Sequence, residues 1–459
     1  DSSTSRGLGD VYKRQDIDTE QQITQKRKRC LSFIYYLFKS SLRKDEKKQR
    51  KVSEITVHLT TKTDHSTSIC MIYQYFMLTL HCHYQMRSTM RSRLFLLSII
   101  LLIGVSCQHK KATTEKETVA AGNTYTNPLL ERGAEPWAIF HEGKYYYTQG
   151  SENRVILWET DDITDLSHAT QKDVWIPTDP SNSYHLWAPE IHRINNKWYI
   201  YFAADDGNMD NHQIYVVENE AANPMEGTFV MKGRIQTDKD NNWAIHASTF
   251  EHDGQRYMIW CGWQKRRIDS ETQCIYIATM KNPWTLSSDR ILISKPEYEW
   301  ECQWVNPDGS KTAYPIHVNE APQYFESKNK DKACIFYSAS GSWTPYYCVG
   351  LLTADAKANL LNPASWKKSP VPVLQQDPEN NVYGPGGISF TPSPDGKEWY
   401  MLYHARQIPN DAPGASDSRS PRLQKIDWDK DGMPVLGTPQ KEEEPMARPS
   451  GSPIHKKQN

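Results

Sequence analysis

The stretch Ala188-Pro189-Glu190, followed after five residues by Asn196-Lys197-Trp198-Tyr199-Ile200-Tyr201, contains the pattern that decides the fold of this 459-residue chain. A small residue and a proline open a short strand, and an asparagine-rich turn then reverses the chain. The second strand is aromatic and almost continuously apolar, which is typical of a strand buried on both faces. The stretch therefore predicts a buried antiparallel hairpin.

The same pattern occurs four more times, at intervals of about 50–75 residues. The other copies are Glu135-Pro136-Trp137 with Gly143 to Tyr147, Ile245-His246-Ala247 with Asp253 to Trp260, Ala321-Pro322 with Asp331 to Tyr337, and Gly384-Pro385 with Asp395 to Tyr403. Five copies and no sustained helical period predict an all-β chain, folded as a five-bladed β-propeller over residues 125–453 with four antiparallel strands per blade. A β-sandwich is the alternative, although it does not explain the five copies. In a propeller the first strands line the central axis, so the residues beside the small-Pro positions converge on one funnel.

The composition is that of an ordinary soluble protein, with 24% charged and 38% hydrophobic residues. The net charge of −1 conceals an asymmetry, because residues 1–106 carry 18 basic and 9 acidic side chains and the remainder carries 36 and 46. An acidic body argues against a nucleic-acid partner, which requires a basic face. The 15 Trp and 25 Tyr residues suit sugar stacking, and they equally suit a β core.

The N-terminal part of the chain predicts targeting sequence rather than a domain. Residues 1–89 sustain no period and open on a segment that resembles translated adapter sequence, so we interpret them as upstream read-through. Residues 90–107 predict a bacterial lipoprotein signal, with Cys107 as the acylated residue that anchors the protein to a membrane, in the periplasm or at the cell surface. A short membrane anchor and a plain secretory signal are the alternatives, and all three predict export. Residues 108–124 read as a polar tether and 454–459 as a tail.

Five of the nine cysteines belong to the body of the chain: Cys261, Cys274, Cys302, Cys334 and Cys348. An odd number without a CxxC spacing argues against a disulfide framework and against a zinc site. One bridge and five free thiols are both compatible with the sequence.

Glu320 is the first candidate for chemistry. It lies in Val318-Asn319-Glu320-Ala321-Pro322, between an amide and a rigid proline, just before an apolar run. A carboxyl group held at a strand end in this way can serve as a general acid. A solvated loop glutamate is the alternative. Its place within a repeated unit favours the functional interpretation.

The order of these motifs resembles that of glycoside hydrolase family 43, from about Asn127 to Pro453, and within it the exo-acting α-L-arabinofuranosidases. The resemblance is carried by Leu186–Glu190 with Lys197–Tyr201, Trp243–Ile245 with Phe250–Gly254, Val318–Pro322, Tyr383–Gly386 and Arg419–Pro434. It implies an inverting mechanism, in which one carboxylic acid protonates the glycosidic oxygen and a second carboxylate deprotonates the attacking water. A third group orients the acid and raises its pKa.

The resemblance assigns Glu320 as the general acid, Glu135 as the catalytic base and His246 as the modulator. The family normally has Asp at the last two positions, so this chain departs from the pattern twice. Glu135 gains roughly 1.5 Å of reach and keeps nearly the same intrinsic pKa. A cationic His246 would lower the pKa of a neighbouring acid, which would then depend on burial to stay protonated. A hydrogen-bonded core histidine is the alternative for His246.

The resemblance also implies substrate contacts and bears on a metal. Trp187 is expected to form a stacking wall, and His404 and Arg422 to bond the sugar; a core aromatic and a surface ion pair are the alternatives for Trp187 and Arg422. Many relatives hold a central Ca²⁺ or water cluster through a histidine. Gly387 stands at that position, so we expect no central metal and no required cofactor. No other His, Cys or carboxylate cluster has metal-ligand spacing.

The sequence thus predicts an exported, monomeric glycoside hydrolase that removes terminal α-L-arabinofuranosyl or β-D-xylosyl units from plant polysaccharides or oligosaccharides. The altered base and modulator leave two alternatives open. One is a glycosidase of shifted sugar specificity, and the other is a glycan-binding propeller with weak or no turnover. The intact Glu320 favours an enzyme, whereas His246 favours the binding protein.

Overall fold

The computed structural model describes residues 123–265, 272–303, 317–410 and 417–453. Four predicted segments lie outside these ranges, wholly or almost so: the read-through (1–89), the signal (90–107), the tether (108–124, except its last two residues) and the tail (454–459). Within the described ranges, no helix has the length and apolarity needed to cross a bilayer.

The described chain is almost entirely β-structure, so the prediction of an all-β protein is confirmed. Its helices are single 3-10 turns at Leu166–His168, Pro180–Asn182, Met209–Asn211, Glu299–Glu301, Pro363–Ser365 and Pro378–Asn380. Of the two alternatives left open for the five cysteines of the body, the structure contains the free thiols, four of them buried.

The strands follow one another in groups that begin at the five repeats. The first group contains β2 (Trp137–His141), β3 (Lys144–Thr148), β4 (Val155–Thr160) and β5 (Thr170–Trp175), and the second contains β6 (Tyr184–Ile194), β7 (Lys197–Asp205), β8 (Gln213–Asn219) and β9 (Val230–Arg234). The third contains β10 (Ala244–His252), β11 (Gln255–Trp263), β12 (Thr272–Asn282), β13 (Thr285–Leu286) and β14 (Ile291–Ser294). The fourth contains β15 (His317–Glu326), β16 (Lys332–Ala339), β17 (Cys348–Asp355) and β18 (Lys367–Lys368), and the fifth contains β19 (Tyr383–Pro392), β20 (Trp399–Arg406) and β21 (Ser420–Lys425). The remaining short strands are β1 (Thr124–Tyr125), β22 (Asp427–Trp428), β23 (Pro434–Val435) and β24 (Met446–Ala447).

Neighbouring strands within each group pair antiparallel. A short parallel pairing of β12 with β15 joins the third and fourth groups into one sheet, and β1 pairs with β24. The first strands of the groups contact one another in a cycle: β2 contacts β6 and β19, β10 contacts β6 and β15, and β15 contacts β19.

The hydrophobic core is divided among the interfaces between successive groups. Five clusters of buried side chains occur. Four of them draw on two adjacent groups, and the other, formed mainly by the third and fourth groups, also includes Ala203 of the second. Phe250 of the third group stacks on Tyr324 of the fourth, with ring centroids 3.9 Å apart. Tyr145 of the first group shares a cluster with Tyr400 and Leu423 of the fifth. Because each buried aromatic or aliphatic side chain contributes about 1.5–3 kcal/mol, these interfaces hold the groups around a common centre.

A residue in left-handed conformation recurs near the start of every repeat. Glu135, Ala188, His246, Ala321 and Gly387 have φ angles between 45° and 57°. In the last four groups, the pairing register between the first and second strands shifts at this residue. Such a shift is typical of a β-bulge. Left-handed backbone favours glycine, which accounts for Gly387, whereas Ala188 and Ala321 adopt it at some cost in strain. Glu135 and His246 adopt it with long side chains, and such strained positions cluster at functional sites.

Candidate functional site

A cleft of about 1050 Å³ is lined by residues from all five groups. The three predicted catalytic residues, Glu135, His246 and Glu320, line it together, as does Trp187. The structure therefore brings together residues that lie far apart in the sequence. His404 and Arg422, which were predicted to contact the sugar, are not among the lining residues.

His246 lies between the two carboxyl groups. Its Nε2 is 3.5 Å from Glu135 Oε2, and its Nδ1 is 4.0 Å from Glu320 Oε2. All three side chains are nearly buried, with exposed fractions of 7–12%. Given the width of an imidazole ring, the facing carboxylate oxygens are at most about 10 Å apart, which permits the separation of about 6.5–9.5 Å that an inverting pair requires.

The surroundings of Glu320 favour its protonated form. The Tyr347 hydroxyl donates a hydrogen bond of 2.7 Å to Glu320 Oε1 and fixes the carboxyl group. Burial raises the pKa of Glu320, and the negative charge on Glu135 adds to this effect. A positive charge on His246 opposes them, as the sequence suggested, but the net effect is a raised pKa. Burial therefore outweighs the cation.

The surroundings of Glu135 favour its ionised form. Burial raises the pKa of Glu135, but charges on His404, His246 and Arg419 together lower it to about 2. Burial lowers the pKa of His404 to about 3, so this imidazole is neutral near pH 7. The lasting positive charge beside Glu135 thus comes from His246 and from Arg419, whose Nη1 lies 3.4 Å from Glu135 Oε1.

The two carboxyl groups consequently have pKa values shifted in opposite directions, although one histidine touches both. Environments that separate the pKa values of two neighbouring titratable groups are typical of an acid and base pair. By this criterion Glu320 has the properties of an acid and Glu135 those of a base.

His404 lies behind Glu135 rather than in the cleft. It is fully buried, and its ring stacks on Tyr347 with centroids 5.5 Å apart. The backbone N–H of Glu135 donates to His404 Nδ1 over 3.1 Å, which agrees with a neutral ring. His404 therefore positions the residue assigned as the base, and its predicted hydrogen bond to the sugar is not supported by this location.

The prediction for Arg422 is corrected in the same way, because its guanidinium is fully buried and pairs with Glu442. Arg419, three residues earlier, lines the cleft and is held by Asp417 through a 2.7 Å hydrogen bond from its Nε. Sequence reasoning missed Arg419 as a site residue, although it opens one of the motifs that carry the resemblance. It also missed Tyr347, for which no motif gave a signal.

We expect Arg422→Met to lower the free energy of unfolding by about 3–5 kcal/mol, because it leaves the mostly buried Glu442 without its partner. Equilibrium unfolding in urea measures the loss, and the double variant with Glu442→Gln is expected to recover much of it. The folded fraction should keep its kcat. A lower kcat at unchanged stability would instead indicate that Arg422 contributes to the active site.

Aromatic side chains form much of the cleft wall. Trp187 lines the cleft and stacks on His212, with ring centroids 4.1 Å apart. His212 is itself fixed by the buried Asp205, whose Oδ2 lies 3.0 Å from His212 Nδ1. Trp243 and Trp263 also line the cleft and stack on each other at 5.0 Å. Such rigid apolar faces suit the C–H faces of a sugar.

The five left-handed residues meet at a small cavity of about 10 Å³, enough for about one water molecule. Glu190 borders it, but its oxygens already contact Gln323 Nε2 at 2.5 Å and His192 Nε2 at 3.1 Å. A Cβ on Gly387 would lie 2.5 Å from Glu135 Oε2 and 2.6 Å from the His404 ring, so a histidine there would require both side chains to move. Because Ca²⁺ takes six to eight oxygen ligands, these residues do not suit a central calcium site. The expectation that no metal is required stays a prediction.

Comparison with known proteins agrees with this geometry. Residues 125–434 match the family described as glycosyl hydrolases family 43. The extracellular exo-α-(1→5)-L-arabinofuranosidase of Streptomyces avermitilis is 37% identical over 323 residues, which are 69% of this chain and 64% of that protein. The protein of the same name from Streptomyces chartreusis is 38% identical over 289 residues, which are 62% of this chain and 83% of that protein.

A solved structure, that of α-L-arabinofuranosidase from Lactobacillus brevis, is 31% identical and has a TM-score of 0.63. The similarity covers 70% of this chain and 98% of that one. The matched part of this chain therefore spans nearly all of the Lactobacillus brevis chain, but less than two thirds of the Streptomyces avermitilis protein. From the family match over residues 125–434 and these identities, the chain belongs to glycosyl hydrolases family 43.

Proposed function

We propose that this protein is an exo-acting glycosidase that hydrolyses terminal α-L-arabinofuranosyl units with inversion at the anomeric carbon. The observation that carries the proposal is the pair formed by Glu135 and Glu320, which face one cleft across His246 and have pKa values shifted in opposite directions. The names of the Streptomyces and Lactobacillus relatives support the sugar. Removal of β-D-xylosyl units is the second activity to test.

In this proposal Glu320 donates its proton to the glycosidic oxygen as the bond to the anomeric carbon breaks. A water molecule adds to that carbon from the opposite face, and its proton passes to Glu135. Tyr347 holds the carboxyl of Glu320 through Oε1, while Arg419 keeps Glu135 ionised. His246 lies between the two as a positive charge that stabilises the carboxylates during the transfer.

The scaffold that we infer for this reaction is a five-bladed β-propeller. The cycle of contacts among the first strands and the five core clusters between adjacent groups support five blades. Export is supported by the two Streptomyces relatives, which are named extracellular. The lipid anchor at Cys107 and the monomeric state remain proposals from the sequence.

The test uses the full chain with α-1,5-linked arabino-oligosaccharides, 4-nitrophenyl α-L-arabinofuranoside and 4-nitrophenyl β-D-xylopyranoside. Proton NMR of the first product should show β-L-arabinofuranose, the inverted anomer, before mutarotation. Release of the retained anomer would contradict the mechanism. Absence of turnover on all three substrates with retained glycan binding would leave a binding protein instead.

The pH dependence of kcat/KM on arabinobiose should be bell-shaped. The acidic limb follows ionisation of Glu135, with a pKa of about 2, and the alkaline limb follows deprotonation of Glu320, whose pKa is raised by burial. A positive charge on His246 lowers both pKa values, so His246→Asn should move both limbs to higher pH. An unchanged profile, or a shift of either limb to lower pH, would contradict the role given to His246.

A further inference from the structure

A buried cysteine completes a group of three potential metal ligands at the edge of the cleft. Cys261 Sγ, His246 and the carboxylate of Glu320 supply one ligand atom each, and these atoms all lie within 4.8 Å of one another. The three residues belong to β11, β10 and β15. Among the described residues, no second group of three such side chains meets this distance.

The free nitrogen of His246 points to a missing partner. The residue is 7% exposed, and its Nδ1 is buried without a hydrogen-bond partner; the nearest charged atom is Glu320 Oε2 at 4.0 Å. The other nitrogen, Nε2, faces Glu135 at 3.5 Å. A metal-bound histidine usually gives its second N–H to a carboxylate, so Glu135 stands where such an outer partner belongs.

The other two ligand atoms are also available. The hydrogen bond from Tyr347 engages Oε1 of Glu320, which leaves Oε2 directed at His246. The thiol of Cys261 makes a weak hydrogen bond of 3.3 Å to Gln273 Oε1 and no disulfide. Metal binding would therefore break this weak contact and release the protons held by the thiol, the imidazolium and the Glu320 carboxyl group, so it should strengthen as the pH rises.

The donor set selects the kind of ion. A thiolate, an imidazole and a carboxylate suit Zn²⁺, whereas Ca²⁺ and Mg²⁺ prefer oxygen ligands throughout. Bond lengths of about 2.0–2.3 Å place the ligands of tetrahedral zinc roughly 3.3–3.7 Å apart. The present atoms need to approach one another by about 1 Å, so binding requires a local adjustment of the three side chains. Glu320 and His246 line the cleft, whereas Cys261 is fully buried and does not, so the ion would have to enter from the cleft side.

We propose that Zn²⁺ binds reversibly to His246, Cys261 and Glu320 and thereby inhibits the enzyme. A zinc-bound Glu320 carries no proton to donate. In this proposal the ion also occupies the position at which the glycosidic oxygen of the substrate would bind. Inhibition therefore rests on the proposed function, whereas metal binding does not. Zinc and substrate compete for the same cleft.

The test measures binding and inhibition separately on the full chain after treatment with a chelator. Co²⁺ serves as the spectroscopic probe, because a thiolate ligand gives a charge-transfer band and a tetrahedral site gives intense visible bands. Zn²⁺ serves as the inhibitor in the arabino-oligosaccharide assay, and EDTA should restore the rate. The matched variants are Cys261→Ala and Cys274→Ala. Both remove a buried free thiol from the third group of strands, but only Cys261 is a proposed ligand.

We expect the cobalt bands in the wild type and in Cys274→Ala, and their loss in Cys261→Ala. Cys261→Ala should keep the basal rate and need about tenfold or more Zn²⁺ for half inhibition. Absence of a thiolate band in the wild type, or the same band in both variants, would overturn the proposal. Cys261→Ser replaces the alanine variant if circular dichroism shows misfolding. If the cobalt bands depend on Cys261 but the protein hydrolyses no substrate, the metal site is supported and the proposed function is rejected.

Discussion

Glu320→Gln will lower kcat for arabino-oligosaccharides by about 10²–10⁴-fold, the contribution that a general acid typically makes. The amide has nearly the shape of the acid and can still accept the Tyr347 hydrogen bond, so the fold and KM should change little. What the variant lacks is the proton that burial helps the carboxyl group to retain, because burial raises its pKa. The rate is measured by chromatography of released arabinose.

The leaving group distinguishes loss of an acid from general damage to the site. 4-Nitrophenolate departs without strong protonation, so Glu320→Gln should retain far more activity on the nitrophenyl arabinofuranoside than on arabinobiose. Tyr347→Phe is the matched control, since it removes the hydroxyl that positions Glu320 and keeps the acid itself. Equal losses on both substrates in Glu320→Gln would show that Glu320 is not the acid.

Glu135→Ala will cause a loss of similar size, about 10²–10⁴-fold in kcat, because no group then accepts the proton of the attacking water. Removing the side chain opens space on the face of the sugar where water approaches. Sodium azide should restore turnover of the nitrophenyl substrate and yield β-L-arabinofuranosyl azide, because azide needs no base. Product configuration by NMR measures this directly.

Glu320→Ala is the control that decides the role of Glu135. Azide should not restore turnover of this variant with formation of the inverted azide product. Glu135→Ala also leaves Arg419 and His246 without their shared counter-charge, so its melting temperature is recorded in parallel. A folded Glu135→Ala variant that keeps its kcat would remove Glu135 from the mechanism. An azide product of retained configuration would instead indicate a covalent intermediate.

The groups of strands could be predicted because the hairpin repeats, whereas the details of the site depend on which face a side chain occupies. Arg419 and Arg422 lie three residues apart near β21, and only the first reaches the cleft. Both are arginines in one polar stretch, Ser418 to Gln424, so the sequence alone could not separate them. The choice is made by the pairing of β21 with β20 and by Glu442, which approaches from much later in the chain.

The effect of His246 on Glu320 has the sign that the sequence predicted, but burial exceeds it in size. A cation beside Glu320 does lower its pKa, but burial raises it more. How deeply a single carboxyl group is buried depends on the assembled cleft. It could not be predicted from the sequence. The same reason hid the group formed with Cys261, because its ligands come from three strands and have no regular spacing in the chain.

The left-handed residue at or just before every first strand has a consequence for how such an enzyme changes over evolutionary time. Each repeat offers one side chain to the same central point, and the backbone there is set by the surrounding hairpin rather than by that side chain. Two of these positions hold Glu135 and His246, and three hold alanine or glycine. Reactive groups can therefore be exchanged at such positions while the scaffold persists, provided that their neighbours adjust, so one ancestral architecture can yield new specificities through few steps.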